Sequence, residues 1–209
     1  MSATVSGQIP SRLLQSLVGP AANSKGAILD VGCGDGTVVR GLRDIGCTAQ
    51  GIDDTLPRAA DGLVQGSLSG NVPFAVHAFD AILVRGMKVY SGPLTGPEVF
   101  TATANLLSCL KPSGRLVLFE PQGFATPGSI DAGRLNAWRE HLSQFPGRCD
   151  ISQFADGLGF LLSLKWLMGE KKIAATIVSM TVPSPALSRL EWHRVVRDIL
   201  LGKKKRGAA

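Results

Sequence analysis

The residues most able to do chemistry lie in one short stretch, LDVGCGDG at positions 29–36. It carries glycines at positions 32, 34 and 36 and carboxylates at Asp30 and Asp35. Glycine-rich turns between a strand and a helix often bind phosphate, because backbone N–H groups and the helix dipole favour an anion. Here the carboxylates oppose that, since two like charges about 4 Å apart repel by roughly 4 kcal/mol at an effective dielectric constant near 20. The loop therefore predicts a ligand that carries positive charge and no phosphate.

A third carboxylate, Asp53, stands at the end of the sequence GID, 23 residues after Asp30. At the end of the second strand of a nucleoside-binding α/β fold, a carboxylate can accept hydrogen bonds from both ribose hydroxyls. The neighbouring Asp54 is interpreted as a solvated turn residue. The loop and Asp53 together favour a ligand with an adenosine, a sulfonium and an ammonium group.

Hydrophobic runs predict the elements that must position these residues. Strands are predicted at Ala27–Val31, Thr48–Asp53, Gly62–Gln65, Phe79–Val84 and Arg115–Glu120. Helices are predicted at Thr37–Ile45 and Gly96–Leu110, the second ended by the sequence KPSG. Strands that alternate with helices favour a mostly parallel sheet covered on both faces.

The last third of the chain has a different pattern. A helix is predicted at Asp150–Gly159, followed by strands at Phe160–Met168 and Ile173–Val182. The connection between these strands is too short for a parallel crossover, so an antiparallel hairpin is expected. Ser184 and Pro185 then predict the cap and first residue of an amphipathic C-terminal helix.

With these residues the chain resembles the class I S-adenosylmethionine-dependent methyltransferases, in particular their compact members. The resemblance runs from about Ala27 to Glu120, and more loosely to Val182. It rests on the segments LDVGCGDG, GID, FDAILV and LLSCLKPSGRLVLFE. It implies an α/β fold of the Rossmann-like, doubly wound type, with a mostly parallel seven-stranded sheet and a C-terminal antiparallel hairpin.

The resemblance also implies where S-adenosylmethionine is bound. The first motif would hold its methionyl end, Asp53 its ribose, and the segment after the third strand its adenine. The implied cofactor-binding residues are Asp30, Gly32, Cys33, Gly34, Gly36, Asp53, Ser67, Leu68 and Arg85.

Two departures from the family's pattern are visible. Ser67 stands where the family usually has an acid for the adenine amino group, and the loss of a charged acceptor there would weaken binding by around 1 kcal/mol. The connection between the second and third strands is also too short for the family's usual helix. Both departures keep a non-catalytic reading of the domain open.

Candidate catalytic residues follow strands four and five, because ligands in open α/β sheets bind beyond the carboxyl ends of the strands. Tyr90 in RGMKVY and Glu120 in EPQGF occupy those places. For Tyr90, packing at the sheet edge is the alternative.

A third candidate, His141, shares one helix face with Arg134 and Trp138 if Ser129 caps a helix there. One interpretation is a lid over the acceptor, with His141 as a base and Arg134 or Arg139 as an anion contact. The other is a surface helix packed through Trp138 and Leu142.

The net charge of +6 lies mostly at the C-terminus, where Arg189 to Arg206 carry seven basic and two acidic residues. The Lys203–Arg206 tail is interpreted as a solvated charge run, with nucleic acid or an acidic partner as the alternative. No apolar stretch approaches the roughly 18–20 residues that span a bilayer, so no membrane association is expected. Neither a secretory signal nor a metal-ligand cluster among the four cysteines and three histidines is apparent, so we expect a cytoplasmic protein without a metal.

The expected organisation is a single methyltransferase-like domain over residues 1–188. It contains a cofactor-binding core at 22–121 and a candidate substrate-covering insertion at 123–148, and a basic amphipathic helix and tail follow at 189–209. The predicted function is methyl transfer from S-adenosylmethionine to an acceptor by in-line displacement, with a small molecule favoured as acceptor. The alternative is a catalytically inactive domain that acts as a binding or regulatory partner. A nicotinamide-dependent oxidoreductase is disfavoured, because the glycine spacing departs from G-x-G-x-x-G and because of Asp30.

Overall fold

The computed structural model describes residues 11–56, 61–70, 72–121, 132–155 and 173–202 of the chain. Seven strands form one sheet in the order β3-β2-β1-β4-β5-β7-β6. The strands are β1 (Ala27–Val31), β2 (Thr48–Asp53), β3 (Leu63–Gln65), β4 (Phe79–Val84), β5 (Leu110–Pro121), β6 (Arg148–Ala155) and β7 (Ile173–Thr181). The first five are parallel, and β7 runs antiparallel to both of its neighbours, β5 and β6. The mostly parallel seven-stranded sheet with an antiparallel C-terminal hairpin is confirmed.

Helices cover both faces of this sheet. They are α1 (Ser11–Val18), α2 (Pro20–Asn23), α3 (Thr37–Asp44), α4 (Pro97–Ser108), α5 (Ala132–Ser143) and α6 (Arg189–Leu200), with a 3₁₀ turn at Lys88–Tyr90. Side chains of α1 and α3 pack with Ala81 and Leu83 of β4, whereas those of α4, α5 and α6 pack with Ile82 and Val84. Alternate residues of one buried strand therefore serve two separate cores, as expected for a parallel sheet between two helical layers.

The strand order places a topological switch between β1 and β4. Chain connections from β1 lead outward to β2 and β3, and the next strand, β4, returns to the other side of β1. The loops after β1 and β4 consequently diverge to opposite faces of the sheet. This arrangement opens a crevice beyond the carboxyl ends of the two strands, where α/β sheets bind ligands.

Predicted and observed elements agree best in the buried centre. The bounds of β1, β2 and β4 are as predicted, and β3 and α3 each differ by one residue. The fifth strand begins at Leu110, five residues earlier than predicted, because Leu110 already pairs with Phe79. The register then jumps to the pair of Arg115 with Ala81, so the KPSG sequence is accommodated within the strand as an irregularity.

The prediction of a helix at Asp150–Gly159 is wrong for its first six residues. Arg148–Ala155 instead forms β6 and pairs along its length with β7. The ladder against a neighbouring strand outweighs local helical preference, which is weak for a segment this short. The strand predicted at Phe160–Met168 lies outside the described residues. Its predicted pairing with Ile173–Val182 is wrong, because β5 and β6 occupy the two edges of β7.

The C-terminal helix begins four residues after the predicted Ser184-Pro185 start. Ser188 is its N-cap: the Ser188 Oγ accepts from Glu191 N at 3.3 Å, and Glu191 Oε2 accepts from Ser188 N at 2.7 Å. This reciprocal pair satisfies N–H groups that a helix start otherwise leaves without a partner. Trp192 and Val196 are buried on its inner face, in the same core as α4.

The helix α1 was not predicted from the sequence; its Leu13, Leu14 and Leu17 are buried, and the helix packs against α3, β4 and β5. Among the described residues, no helix has both the length and the apolar character needed to cross a membrane.

Ser188→Ala should lower the free energy of unfolding by about 1 kcal/mol, because the Oγ that accepts from Glu191 N is lost. Ser184→Ala is the matched control, since Ser184 is exposed and precedes the helix without capping it. Its effect should stay within about 0.5 kcal/mol. Urea denaturation of the two variants measures the difference, and an equal loss in both would contradict the assignment of Ser188 as the cap.

Candidate functional site

The predicted glycine loop lies at the switch point between β1 and β4. Its first residues are fixed by β2, because Gly32 N and Cys33 N both donate to the carbonyl of Ile52, at 2.9 and 3.2 Å. Arg85, the first residue after β4, is fixed in the same way by β1, since its N–H donates to Val31 O at 3.1 Å. The ends of three adjacent strands thus meet at one place.

The three glycines of the loop have distinct surroundings, although all have positive φ, +76° at Gly32, +54° at Gly34 and +76° at Gly36. A Cβ on Gly32 would overlap the carbonyl oxygen of Gly86, so only a glycine lets the loop pass the end of β4. A Cβ on Gly34 or on Gly86 would meet nothing within 4 Å. These two glycines border open space, and a ligand can approach the backbone there.

Most backbone N–H groups of the loop are already hydrogen-bonded within the chain. Gly34 N donates to Asp53 Oδ2 at 2.8 Å, Gly36 N to Cys33 O at 2.9 Å, and Thr37 N to Asp35 Oδ1 at 3.0 Å. A dinucleotide loop needs such groups free to bind the pyrophosphate. Their internal bonds support the expectation that the ligand has no phosphate at this loop.

Asp53 lies at the end of β2 and is only 7% exposed. Its Oδ1 accepts from Thr55 N at 2.8 Å and from Thr55 Oγ1 at 2.7 Å, while Oδ2 accepts from Gly34 N. Burial acts to raise the pKa of Asp53, but the hydrogen bonds from Thr55 and Gly34 outweigh it and leave the pKa below that of an ordinary aspartate. The carboxylate keeps one accepting position on Oδ2, and a second becomes available if the Thr55 hydroxyl turns away.

Asp30 has no exposed surface, and Arg85 binds both oxygens of its carboxylate. Arg85 Nε donates to Oδ1 at 3.1 Å and Nη2 to Oδ2 at 2.8 Å, and Nη2 also donates to Cys33 O at 3.0 Å. Burial raises the pKa of Asp30, and the guanidinium opposes that effect. The sequence predicted that Asp30 faces a cation, and in the structure that cation is a side chain of the same protein.

Cys33 lies inside the loop with 1% exposure. Burial, together with the nearby Asp30 and Asp53 carboxylates, raises the pKa of its thiol to about 11. The thiol therefore stays protonated at neutral pH and is not a nucleophile.

The segment after β3 contains the residues implied to contact adenine. Ser67 is exposed, and its Oγ accepts from Ser69 N at 3.2 Å. Leu68 is fully buried, and its carbonyl accepts from Asn105 Nδ2 at 2.8 Å; the same amide donates to Gly70 O at 3.1 Å. Asn105 was missed by the sequence reading, although a polar residue on the apolar face of α4 is a signal for such an anchor.

Two of the candidate catalytic residues, Tyr90 and His141, meet at Thr103 of α4. The distances to Thr103 Oγ1 are 3.4 Å from the Tyr90 hydroxyl and 2.9 Å from His141 Nε2. Both candidates are buried, at 3% and 1% exposure. Burial raises the pKa of Tyr90 and lowers that of His141 to about 4.

Trp138 packs on both candidates, with ring centroids 5.0 Å from Tyr90 and 5.8 Å from His141. This inward face favours the packing interpretation of α5 over the acceptor-facing lid. Glu120 lies within β5 opposite Thr176 of β7, and Arg134 lies in the first turn of α5; the side chains of both fall outside the described part. Arg139 is exposed on α5.

Within the described ranges, no three His, Cys, Asp or Glu side chains are grouped closely enough to hold a metal ion.

Residues 29–118 match the family model described as a methyltransferase domain. No curated protein shows significant sequence similarity to the chain.

Solved structures of similar fold include three for which the alignment covers most of both chains. The glycopeptide N-methyltransferase MtfA complexed with sinefungin is 14% identical over 83% of this chain and 92% of its own, with a TM-score of 0.53. An S-adenosylmethionine-dependent methyltransferase from Archaeoglobus fulgidus is 12% identical over 82% and 94%, also at 0.53. The N-methyltransferase NodS from Bradyrhizobium japonicum is 16% identical over 82% and 96%, at 0.50. At these identities the likeness establishes the fold.

Gly32→Ala and Gly34→Ala should separate backbone strain from steric overlap. Both place a side chain at positive φ, which costs about 1–2 kcal/mol. Gly32→Ala adds the overlap with Gly86 O and should lower the free energy of unfolding by at least about 2 kcal/mol more, or prevent folding. Urea denaturation compares the two variants, and equal losses would show that the loop does not pass the end of β4 this closely.

His141 should make stability depend on pH. Its folded-state pKa of about 4 lies below its unfolded value of about 6.5, so its contribution is fully present above pH 6.5 and is lost as pH falls through 4. The shift corresponds to about 3 kcal/mol. Between pH 7 and 4, the free energy of unfolding measured with urea should therefore fall by about 3 kcal/mol more for wild type than for His141→Gln. The same pH dependence in both proteins would contradict the burial of a neutral imidazole.

Proposed function

We propose that this chain is an S-adenosylmethionine-dependent methyltransferase that transfers a methyl group to a small-molecule acceptor, a proposal that the match of residues 29–118 to a methyltransferase-domain model supports. The observation that carries the proposal is the loop at the switch point between β1 and β4. There Gly34 and Gly86 border open space, and the N–H groups of Gly32, Gly34 and Gly36 are already bonded within the chain. Such a surface suits a ligand without phosphate.

The residues we assign to the cofactor are those named from the sequence. Gly32 and Gly36 shape the loop, and Gly34 and Cys33 line it beside the methionyl end. Asp53 has an accepting position on Oδ2 for a ribose hydroxyl, next to Gly34. Ser67 and the buried Leu68 would flank the adenine, in a segment that Asn105 anchors through two backbone carbonyls. Arg85, directly after β4, completes the set, and Asp30 of β1 contributes through its ion pair with Arg85.

The cofactor supplies a methyl group on a positively charged sulfur, which is an activated electrophile. The protein must then orient the acceptor for in-line attack and exclude water, so a general base is needed only for acceptors of high pKa. Tyr90, Glu120 and His141 remain the candidates for that role. The buried hydrogen bonds of Tyr90 and His141 with Thr103 favour a structural role, which supports an acceptor that needs no base.

A small molecule is favoured as acceptor because the segment after β4 reads RGMKVY. It lacks the Asn-Pro-Pro-Tyr-like signature found where amino groups of bases are methylated. A nucleic-acid or acidic partner would instead use the Lys203–Arg206 tail, which lies outside the described residues. The four cysteines are free thiols, which suits the reducing cytoplasm that we propose as the compartment.

The alternative function is a non-catalytic domain that acts as a binding or regulatory partner. The specific observation in its favour is that both carboxylates of the site are satisfied within the chain, Asp30 by Arg85 and Asp53 by Thr55 and Gly34. A bound cofactor must compete with these contacts, and Ser67 offers only a neutral acceptor for adenine. Cofactor affinity therefore decides between the two functions.

Calorimetric titration with S-adenosylmethionine and S-adenosylhomocysteine should give micromolar dissociation constants for wild type. Asp53→Ala should weaken both at least about tenfold, because a hydrogen bond to a charged group contributes about 1.5–3 kcal/mol. Asp61→Ala is the control: its side chain is fully exposed and pairs with Arg43 at 3.4 Å, away from the loop. Absence of binding to folded wild type would refute the enzyme and favour the non-catalytic alternative.

A further inference from the structure

Arg85 is bonded on one edge of its guanidinium and free on the other. Nε and Nη2 are occupied by Asp30 and by the carbonyl of Cys33. Within the described part of the chain, the Nη1 group makes no hydrogen bond, and 27% of the side chain is exposed. The free edge is a charged, planar donor next to the glycine loop.

Unlike Arg85, Asp30 has no free hydrogen-bonding edge, because it is fully buried and the guanidinium binds both of its oxygens. An ammonium group of a ligand would have to displace Arg85 to reach it. Displacement would leave a buried guanidinium edge without its partner, which is strongly unfavourable. Asp30 is therefore an anchor for Arg85 in this protein rather than a contact for a ligand cation.

The methionyl end of the cofactor carries an ammonium and a carboxylate, and the free edge of Arg85 suits only the second. Guanidinium groups bind carboxylates through charge-assisted hydrogen bonds of well-defined geometry. The N–H groups of Gly34 and Gly36 are not available for this role, because they are bonded to Asp53 and Cys33.

We propose that Arg85, anchored by Asp30, is a specificity-determining residue that selects cofactors bearing a carboxylate and rejects the decarboxylated form. The inference rests on the proposed binding of S-adenosylmethionine and deepens it. It reverses the role that the family resemblance implies for the acid of the first motif. The consequence is that the site serves methyl transfer and excludes aminopropyl transfer, which uses the decarboxylated cofactor.

Three ligands that share the adenosine and differ in the attached chain test this on wild type. They are S-adenosylhomocysteine, its decarboxylated form with a thiopropylamine chain, and 5′-methylthioadenosine, which has neither charge. Removal of the carboxylate should weaken binding about 10- to 100-fold. The decarboxylated ligand should bind no more than about threefold more tightly than 5′-methylthioadenosine.

Variants then assign the preference to the ion pair. Arg85→Gln combined with Asp30→Asn removes both charges together and leaves no buried charge unpaired, so the preference for the carboxylate should fall to about threefold or less. Arg40→Gln is the matched control, because Arg40 is an exposed arginine 3.8 Å from Asp35 of the same loop and should leave the preference unchanged. If the double variant does not fold, the three ligands on wild type still test whether the site prefers a carboxylate, and equal binding still overturns the inference.

The outcomes separate this inference from the proposed function. If S-adenosylhomocysteine and its decarboxylated form bind wild type equally well, Arg85 does not select the carboxylate, and only the inference is overturned. If the decarboxylated form binds more tightly, Asp30 holds the ammonium and the inference is again overturned. If none of the three ligands binds, the cofactor assignment fails and the inference fails with it.

Discussion

The buried ion pair of Asp30 and Arg85 is the interaction on which the rest of the site depends. It joins the ends of β1 and β4, the two strands that border the topological switch point, and it brings Arg85 into contact with the carbonyl of Cys33. A carboxylate with no exposed surface persists only if a partner satisfies it, so removal of either side chain alone is expected to leave a strongly unfavourable buried charge. Replacement of both at once removes that problem. The pair thus sets the position of the glycine loop relative to β4, and Gly32 can pass Gly86 only because it lacks a side chain.

A second constraint follows from how completely the site satisfies its own polar groups. Asp53 holds the loop through Gly34 N and the next turn through Thr55, so the carboxylate that would bind ribose is also a structural acceptor. The gain for a ligand is preorganisation: the carboxylate is ionised, buried and fixed before binding, and less conformational entropy is lost. The disadvantage is competition, because a second ribose hydroxyl must replace the hydroxyl of Thr55. The same geometry thus accounts both for a specific cofactor site and for the alternative of a domain that no longer binds one.

The sequence predicted the central strands well because burial alone determines where their apolar residues begin and end. The strands β1 and β4 are buried along almost their whole length and read as mostly apolar runs, whereas β2 exposes Thr48 and Gln50 before its buried end. At the sheet edge the pattern fails, since β6 is defined by its ladder with β7 rather than by its own composition. The start of α6 shows a similar limit: Ser184-Pro185 and Ser188-x-x-Glu191 are both valid start signals, and packing of Trp192 decides between them.

For the site, residue types could be predicted but contacts could not. The sequence identified Asp30, Asp53 and Arg85 individually, yet the ion pair joins residues 55 positions apart, and no local pattern encodes which cation a buried carboxylate meets. The same holds for Thr103, where the hydrogen-bond networks of Tyr90 and His141 converge inside the core. Residue type suggested that these two side chains could act on an acceptor, whereas burial shows what they already do. A polar side chain can contact a ligand only if some of its donors or acceptors are accessible. Among the described residues at this loop, the guanidinium of Arg85 meets that condition more fully than Tyr90 or His141 does.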